Sequence, residues 1–269
     1  MSVGFFGCNF KCDFCQNCEI SFTRGLSAEK ELADIKKVTP KDFISLAKKE
    51  NSSSISITYN EPAISVEYNL EAFEIAHENK IKTVYVTNGF ISEEQLVELK
   101  KKKTFLNSAN IDLKSFNENF YIKTCGGNLN EVLECIKSLH KNGTWVELTT
   151  LLIPGKNDSE EELKQIASFI SAIDKNIPWH LSAFFPHHKM NNISPTSTES
   201  VSHAVKIGKE CGLNFVYGGN LRSDELNQTS CPKCNNLLIK REGYYSEVIG
   251  IEKGKCIKCG EKVAGVFSE

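Results

Sequence analysis

Short runs of β-branched and aromatic residues alternate with runs of helical period as far as residue 217, and this alternation limits the chain to a small set of folds. The β-rich runs are Ser2–Phe6, Ser54–Tyr59, Lys82–Thr87, Asn110–Leu113, Trp145–Leu152, Trp179–Phe184 and Asn214–Tyr217. Runs such as Val84-Tyr85-Val86 and Ile55-Ser56-Ile57 read as buried parallel strands. The intervening helices carry start signals. Thr39-Pro40-Lys41-Asp42 sets a cap, a first-turn proline and an acid in order. Ser92 with Gln95, Ser159 with Glu162 and Thr196 with Glu199 fit the capping box, and Gly212 fits a helix C-cap. With no Rossmann glycine fingerprint, six or seven βα units predict an α/β fold: a partial or full TIM-type (βα) barrel, with a doubly wound open sheet as the alternative.

The pattern changes after residue 227. The remaining residues hold four cysteines, turn residues and a hairpin-like stretch, so we expect a barrel domain over 1–227 and a small domain over 228–269. With 40% apolar and 25% charged residues, the composition excludes disordered, fibrous and membrane-spanning chains. A net charge of −2 argues against a dedicated nucleic-acid binder. The run Lys100 to Lys103 reads as a solvated helix end.

Eleven cysteines is a large and odd number for a chain with a full core, which has no need of disulfide staples. The N-terminus has no basic n-region and too short an apolar stretch for a signal peptide. We therefore expect a reducing, cytoplasmic setting and cysteines that bind metal. Cys231-Pro-Lys-Cys234 and Cys256-Ile-Lys-Cys259 are paired knuckles with zinc-ribbon spacing. Four thiolates close the site, so the metal is structural and supplies folding energy that so small a domain cannot find in its core. Zinc is the expected ion; iron, rubredoxin-like or as an auxiliary cluster, is the alternative.

Cys8, Cys12 and Cys15 form a CxxxCxxC that leaves the first strand at the end where barrel active sites sit. Three thiolates on a four-iron cluster leave one iron open, as a catalytic site requires. Cys18 adds a second frame, because Cys12, Cys15 and Cys18 make a CxxCxxC like that of bacterial ferredoxins. A zinc site is a third reading of the same thiols. Cys125, Cys135 and Cys211 lie in helical runs and read as core residues.

The CxxxCxxC with Phe14 before its last cysteine resembles the signature of the radical S-adenosylmethionine (SAM) superfamily. That resemblance implies a [4Fe-4S] cluster on Cys8, Cys12 and Cys15 whose open iron is chelated by SAM. It also implies reductive cleavage of SAM to a 5′-deoxyadenosyl radical that abstracts hydrogen from a substrate. Further phrases, among them Cys15-Gln16-Asn17, Thr58 to Pro62, Asn110 to Lys114 and Pro178-Trp179-His180, are similar to the radical SAM member of the AmmeMemoRadiSam system, a relative of pyruvate formate-lyase activating enzymes. The expected SAM-binding set is then Phe14, Asn60, Glu61, Thr87, Asn88, Asp112, Lys114, Ile153 and His187, with His180 behind the last. Asn60 and Glu61 would face the SAM amino group where many relatives carry Gly-Gly-Glu. Asp112 would face the ribose, Lys114 the carboxylate and Ile153 the adenine. The resemblance also implies an aromatic at position 18, where this chain has cysteine, and a further cysteine-bearing segment ahead of the first strand, so the barrel domain over 1–227 is expected to be missing an N-terminal segment. A reductant such as flavodoxin or ferredoxin and a protein substrate, including other members of the AmmeMemoRadiSam system, are the implied partners, with a small-molecule or nucleotide substrate as the alternative. No nucleic acid and no membrane are expected. The competing function is a non-catalytic or shortened iron–sulfur and zinc-ribbon protein for electron transfer or docking.

Overall fold

Burial alternates strictly along the long strand Trp145–Leu152, so one row of its side chains faces the core. The computed structural model describes residues 1–22, 37–221 and 224–267. Seven strands, β1 (Ser2–Gly4), β2 (Ser54–Thr58), β3 (Lys82–Thr87), β4 (Ser108–Asp112), β5 (Trp145–Leu152), β6 (Trp179–Ala183) and β7 (Val216–Gly219), form one sheet in chain order. The paired strands are parallel. The order has no reversal, which corrects the doubly wound alternative: this is a partial TIM-type barrel.

The contacts divide the chain into two units. The first holds Met1–Leu113, Glu118–Val146 and His187–Met190. In it, Ile57 lies opposite Val3 and Tyr85, and Thr87 lies opposite Ile111, so β1 to β4 bring their C-terminal ends to one edge. The helices are α1 (Cys18–Ser21), α2 (Pro40–Lys49), α3 (Val66–Glu78), α4 (Glu93–Glu98) and α5 (Leu129–Lys141). Thr39 and Asp42 form the full capping box expected at α2. At α4, Ser92 accepts from the Gln95 N–H, but the Gln95 side chain donates to the Ala63 carbonyl at 3.1 Å, so the expected box is only half formed. Lys101 pairs with Glu98 and Lys103 with Glu74 on the surface, as expected of a solvated run.

The second unit holds Lys114–Asn117, Glu147–Pro186 and the rest from Asn191. Its helices are α6 (Glu160–Ile173) and α7 (Thr198–Glu210). Two caps differ from expectation. Ser159 caps α6, but the Glu162 carboxylate turns away to accept from the Ser115 hydroxyl and, at 2.9 Å, from the Phe116 N–H. The cap of α7 is Ser197, one residue later than read. Thr196 is instead buried, donating to the Leu152 carbonyl at 2.5 Å and accepting from the Phe184 N–H at 3.0 Å. Strand β7 runs to Gly219, because its ladder with β6 pairs Leu181 with Gly218 and Ser182 with Gly219. Glycine carries no strand signal, so the sequence pattern stops short there. Cys211 is half-buried at the end of α7, rather than in the core like Cys125 and Cys135.

The C-terminal hairpin is β9 (Leu237–Glu242) with β10 (Tyr245–Val248), flanked by β8 (Thr229–Ser230) and followed by β11 (Ile251–Glu252) and β12 (Lys255–Cys256). Phe215 joins Cys231, Leu238, Cys256 and Val263 in one apolar cluster, with Tyr217 packed against it. Arg241 lies over the Tyr217 ring and donates to the Asn227 carbonyl and the Thr229 hydroxyl, at 2.7 Å each. No helix among the described residues is long and apolar enough to cross a membrane.

Asn157 ties the loop after β5 together. Its side chain accepts from the Ile153 N–H at 2.7 Å and donates to the carbonyls of Lys114 and Leu151 at 2.7 and 2.9 Å. Replacing it with alanine strands buried backbone groups, each costing about 1–3 kcal/mol. Asn157→Ala should therefore lower the denaturation midpoint without changing the slope of a urea titration.

Candidate functional site

The loop that follows β1 carries Cys8, Cys12 and Cys15, and two asparagines aim it at the strand ends. Asn9 donates to the Phe90 carbonyl at 2.9 Å. Its Oδ1 accepts from Asn88 Nδ2 at 2.7 Å. The Cys8 sulfur receives the Phe10 N–H at 3.4 Å and Asn88 Nδ2 at 3.8 Å. Donors on a sulfur favour its thiolate and tune any cluster bound there. Cys12 is buried, while Cys8 and Cys15 are half-buried. Cys15 Sγ lies 3.5 Å from Ser21 Oγ. Phe14 is buried and stacks on Phe120, with ring centroids 6.0 Å apart. The loop is further pinned by the Lys11 N–H to the Cys125 carbonyl at 2.7 Å and the Asp13 N–H to the Thr124 carbonyl at 2.9 Å.

Glu61, at the exit of β2, is only 1% exposed. Its carboxylate accepts from the Ala63 N–H at 2.9 Å, the Thr87 hydroxyl at 2.6 Å and the Asn88 N–H at 2.7 Å. These bonds lock the ends of β2 and β3 to each other. The Asn88 side chain then carries the lock on to Asn9 and Cys8. Burial pushes the Cys135 thiol up to about 12, and the negative charge of Glu61 adds to the shift. Cys135 therefore stays a protonated core thiol. Gly89 follows with φ +76°, and a Cβ there would come within 2.7 Å of the Ile111 side chain, so this turn requires glycine.

Asn60 uses its Nδ2 twice, donating to the carbonyls of Phe5 at 3.0 Å and Ile20 at 2.8 Å. Two carbonyl partners settle which end of the amide is nitrogen. Its Oδ1 is buried with no hydrogen-bond partner among the described residues. An orphan acceptor of this kind fits an ammonium donor from a bound ligand. Asp112 is half-buried at the end of β4. His187 belongs to the first unit and places Nε2 3.5 Å from Cys18 Sγ. Lys114 and Ile153 belong to the second unit, where the Lys114 carbonyl and the buried Ile153 N–H both bond Asn157. His180 is also there, 2.7 Å from Glu147 and stacked on Tyr217.

The four C-terminal cysteines converge. The sulfurs of Cys231, Cys234, Cys256 and Cys259 all lie within 4.8 Å of one another, the spread expected around a single ion. Burial raises the Cys256 thiol, but the backbone N–H groups of Cys259 and Lys258 together with the Cys234 and Cys259 side chains bring it down to about 7. This arrangement can hold zinc. Asn9 and Asn157, which sequence reasoning passed over as site residues, are the connectors. Asn9 sits between a motif cysteine and a buried aromatic, and that is the one sequence signal for it.

A parallel βα sheet whose strand-end loops carry a three-cysteine motif defines a class, and the comparisons agree. The chain belongs to the radical SAM superfamily, whose family model matches residues 3–170. An uncharacterized protein of Methanocaldococcus jannaschii is 35% identical over 98% of this chain and 77% of its own. A second protein of that organism, provisionally named a glycyl-radical enzyme activating enzyme, is 25% identical over 78% of this chain and 79% of its own. The crystal structure of Streptococcus suis SuiB bound to S-adenosylmethionine shares the fold, with a TM-score of 0.62 and 15% identity over 82% of this chain and 51% of SuiB. This chain is a radical SAM enzyme, a family that implies a [4Fe-4S] cluster and SAM.

Two outcomes follow. Glu61→Gln sets an amide NH₂ against donors that need an acceptor, and should cost about 1–3 kcal/mol in thermal unfolding. Cys234→Ser should abolish stoichiometric zinc binding and speed amide exchange across residues 229–264, while β1 to β4 keep their protection.

Proposed function

We propose that Cys8, Cys12 and Cys15 hold a [4Fe-4S] cluster with one iron left for SAM, and that the enzyme abstracts hydrogen from a protein substrate. The observation that carries this reading is the connected set Cys8–Asn9–Asn88–Glu61, which ties the cysteine loop to the exits of β2 and β3. Such support is what a cluster loop needs if its ligands are to stay in place through a redox cycle. When bound, the cluster and SAM together supply reductive C–S cleavage and a hydrogen-abstracting radical.

The chain's own groups do the positioning. Asn60 Oδ1 accepts from the SAM amino group, and Glu61 orients the strand ends through Thr87 and Asn88. Asp112 would serve the ribose, Lys114 the carboxylate and Ile153 the adenine. Phe14, buried against Phe120, would keep water out of the cysteine loop. None of these residues acts as an acid, base or nucleophile, and radical initiation needs none. We take 1–227 as the catalytic domain and 228–269 as a zinc ribbon. A protein substrate accords with the likeness to a relative provisionally named a glycyl-radical enzyme activating enzyme, and other members of the AmmeMemoRadiSam system are the partners to test first. A flavodoxin or ferredoxin supplies the electron, in the reducing cytoplasm that this thiol content suits.

The test is anaerobic reconstitution with iron and sulfide, reduction, and addition of SAM. The wild-type chain should yield 5′-deoxyadenosine and methionine, and Cys12→Ala should fall to background in both. A wild-type chain that forms a cluster but leaves SAM intact would overturn the proposal.

A further inference from the structure

The loop after β1 has one cysteine too many. An open cluster uses three thiolates, yet Cys18 follows Cys15 at the same spacing by which Cys15 follows Cys12. Either frame, Cys8/Cys12/Cys15 or Cys12/Cys15/Cys18, supplies three ligands, and all four together would close the site. Capture of the open iron by Cys18 would form an Fe–S bond, release the thiol proton and exclude the chelating groups of SAM. No electron need move, so nothing in the redox chemistry forbids it. Spacing alone does not choose between these outcomes.

The structure treats the competing sulfurs differently. Cys8 receives two N–H donors, from Phe10 and Asn88, which suit a ligating thiolate. Cys18, the first residue of α1, instead meets an imidazole, with its Sγ 3.5 Å from His187 Nε2. That imidazole is held at the loop by bonds that do not involve Cys18. The Lys189 N–H donates to the Asp13 carbonyl at 3.0 Å, and Lys189 Nζ pairs with the Asp13 carboxylate at 2.8 Å. The His188 ring stacks on Phe22, centroid to centroid 5.1 Å. The Met190 N–H closes the turn on the His187 carbonyl at 3.0 Å. A four-residue segment far along the chain is thus fastened at Asp13, between Cys12 and Cys15, and at Phe22, just after α1, with His187 opposite the surplus thiol.

We infer that His187 is a positioning residue that sequesters the Cys18 thiol, so that the cluster assembles on Cys8, Cys12 and Cys15 and its fourth iron stays open to SAM. The inference rests on the open-cluster reading proposed above.

The experiment uses the full chain and its His187→Ala, Cys18→Ala, His187→Gln and double His187→Ala/Cys18→Ala variants, each reconstituted anaerobically. Iron content is measured, and the EPR signal of the reduced cluster is recorded with and without SAM. Wild type and Cys18→Ala should show a SAM-dependent change. His187→Ala should keep its iron and lose most of that change, because Cys18 now occupies the open position. The double variant should regain it, and His187→Gln, whose amide can still hold the thiol, should retain it. A His187→Ala cluster that responds like wild type would overturn the inference. So would a double variant as blind to SAM as His187→Ala, which would make the imidazole a direct contact of SAM or a prop for the fold. Blindness of the wild type that Cys18→Ala relieves would also overturn the sequestration, while leaving the open-cluster reading intact. Blindness shared by wild type and Cys18→Ala would sink the open-cluster reading itself.

Discussion

A carboxylate with almost no access to water is costly unless every lone pair it presents is met, and Glu61 meets its requirement with donors from two different loops. The Ala63 N–H comes from its own turn, while the Thr87 hydroxyl and the Asn88 N–H come from the exit of β3. Those donors exist only when β2 and β3 lie in register. The charge of Glu61 therefore enforces the alignment of the strand ends, and the alignment places Asn88. From Asn88 the constraint passes to Asn9 and to the sulfur of Cys8. The cysteine loop, short of secondary structure of its own, takes part of its rigidity from a buried carboxylate at the exit of β2 and part from the bonds that pin Lys11 and Asp13.

The C-terminal ribbon meets the same need by other means. Its strands are short and its hairpin is largely exposed, so its core is small. Four convergent sulfurs and a shared apolar cluster with Phe215 make up the difference. Arg241, stacked on Tyr217 and bonded to Asn227 and Thr229, fixes the hairpin to the end of β7. Ligand chemistry and packing overlap here: of the four cysteines that could ligate an ion, Cys231 and Cys256 are buried in the cluster and Cys234 and Cys259 pack against it.

Much of the fold was legible because its signals are local. Period, caps and β-branched runs depend on neighbours a few residues apart, so β3 and β5 matched their expected bounds and the Thr39 capping box formed as read. Misses arose where a distant group outbid the local one. Glu162 left its cap for Ser115, and Thr196 gave up a capping role for the Leu152 carbonyl. Gly218 and Gly219 are strand residues only because β6 supplies their hydrogen bonds. In the site, the motif cysteines could be named from spacing, but Asn9 could not be separated from its neighbours until Asn88 was seen across from it.

The sequence by itself determined the βα alternation and the two cysteine groups, because residue type and short spacing are covalent facts that no folding can alter. Only the tertiary structure decided which partners those residues find. Glu61 bonds residues more than twenty positions away, and Cys18 faces an imidazole 169 positions along the chain. Such pairings depend on sheet register and on where a late turn returns to an early loop, and neither is written in any short stretch of residues.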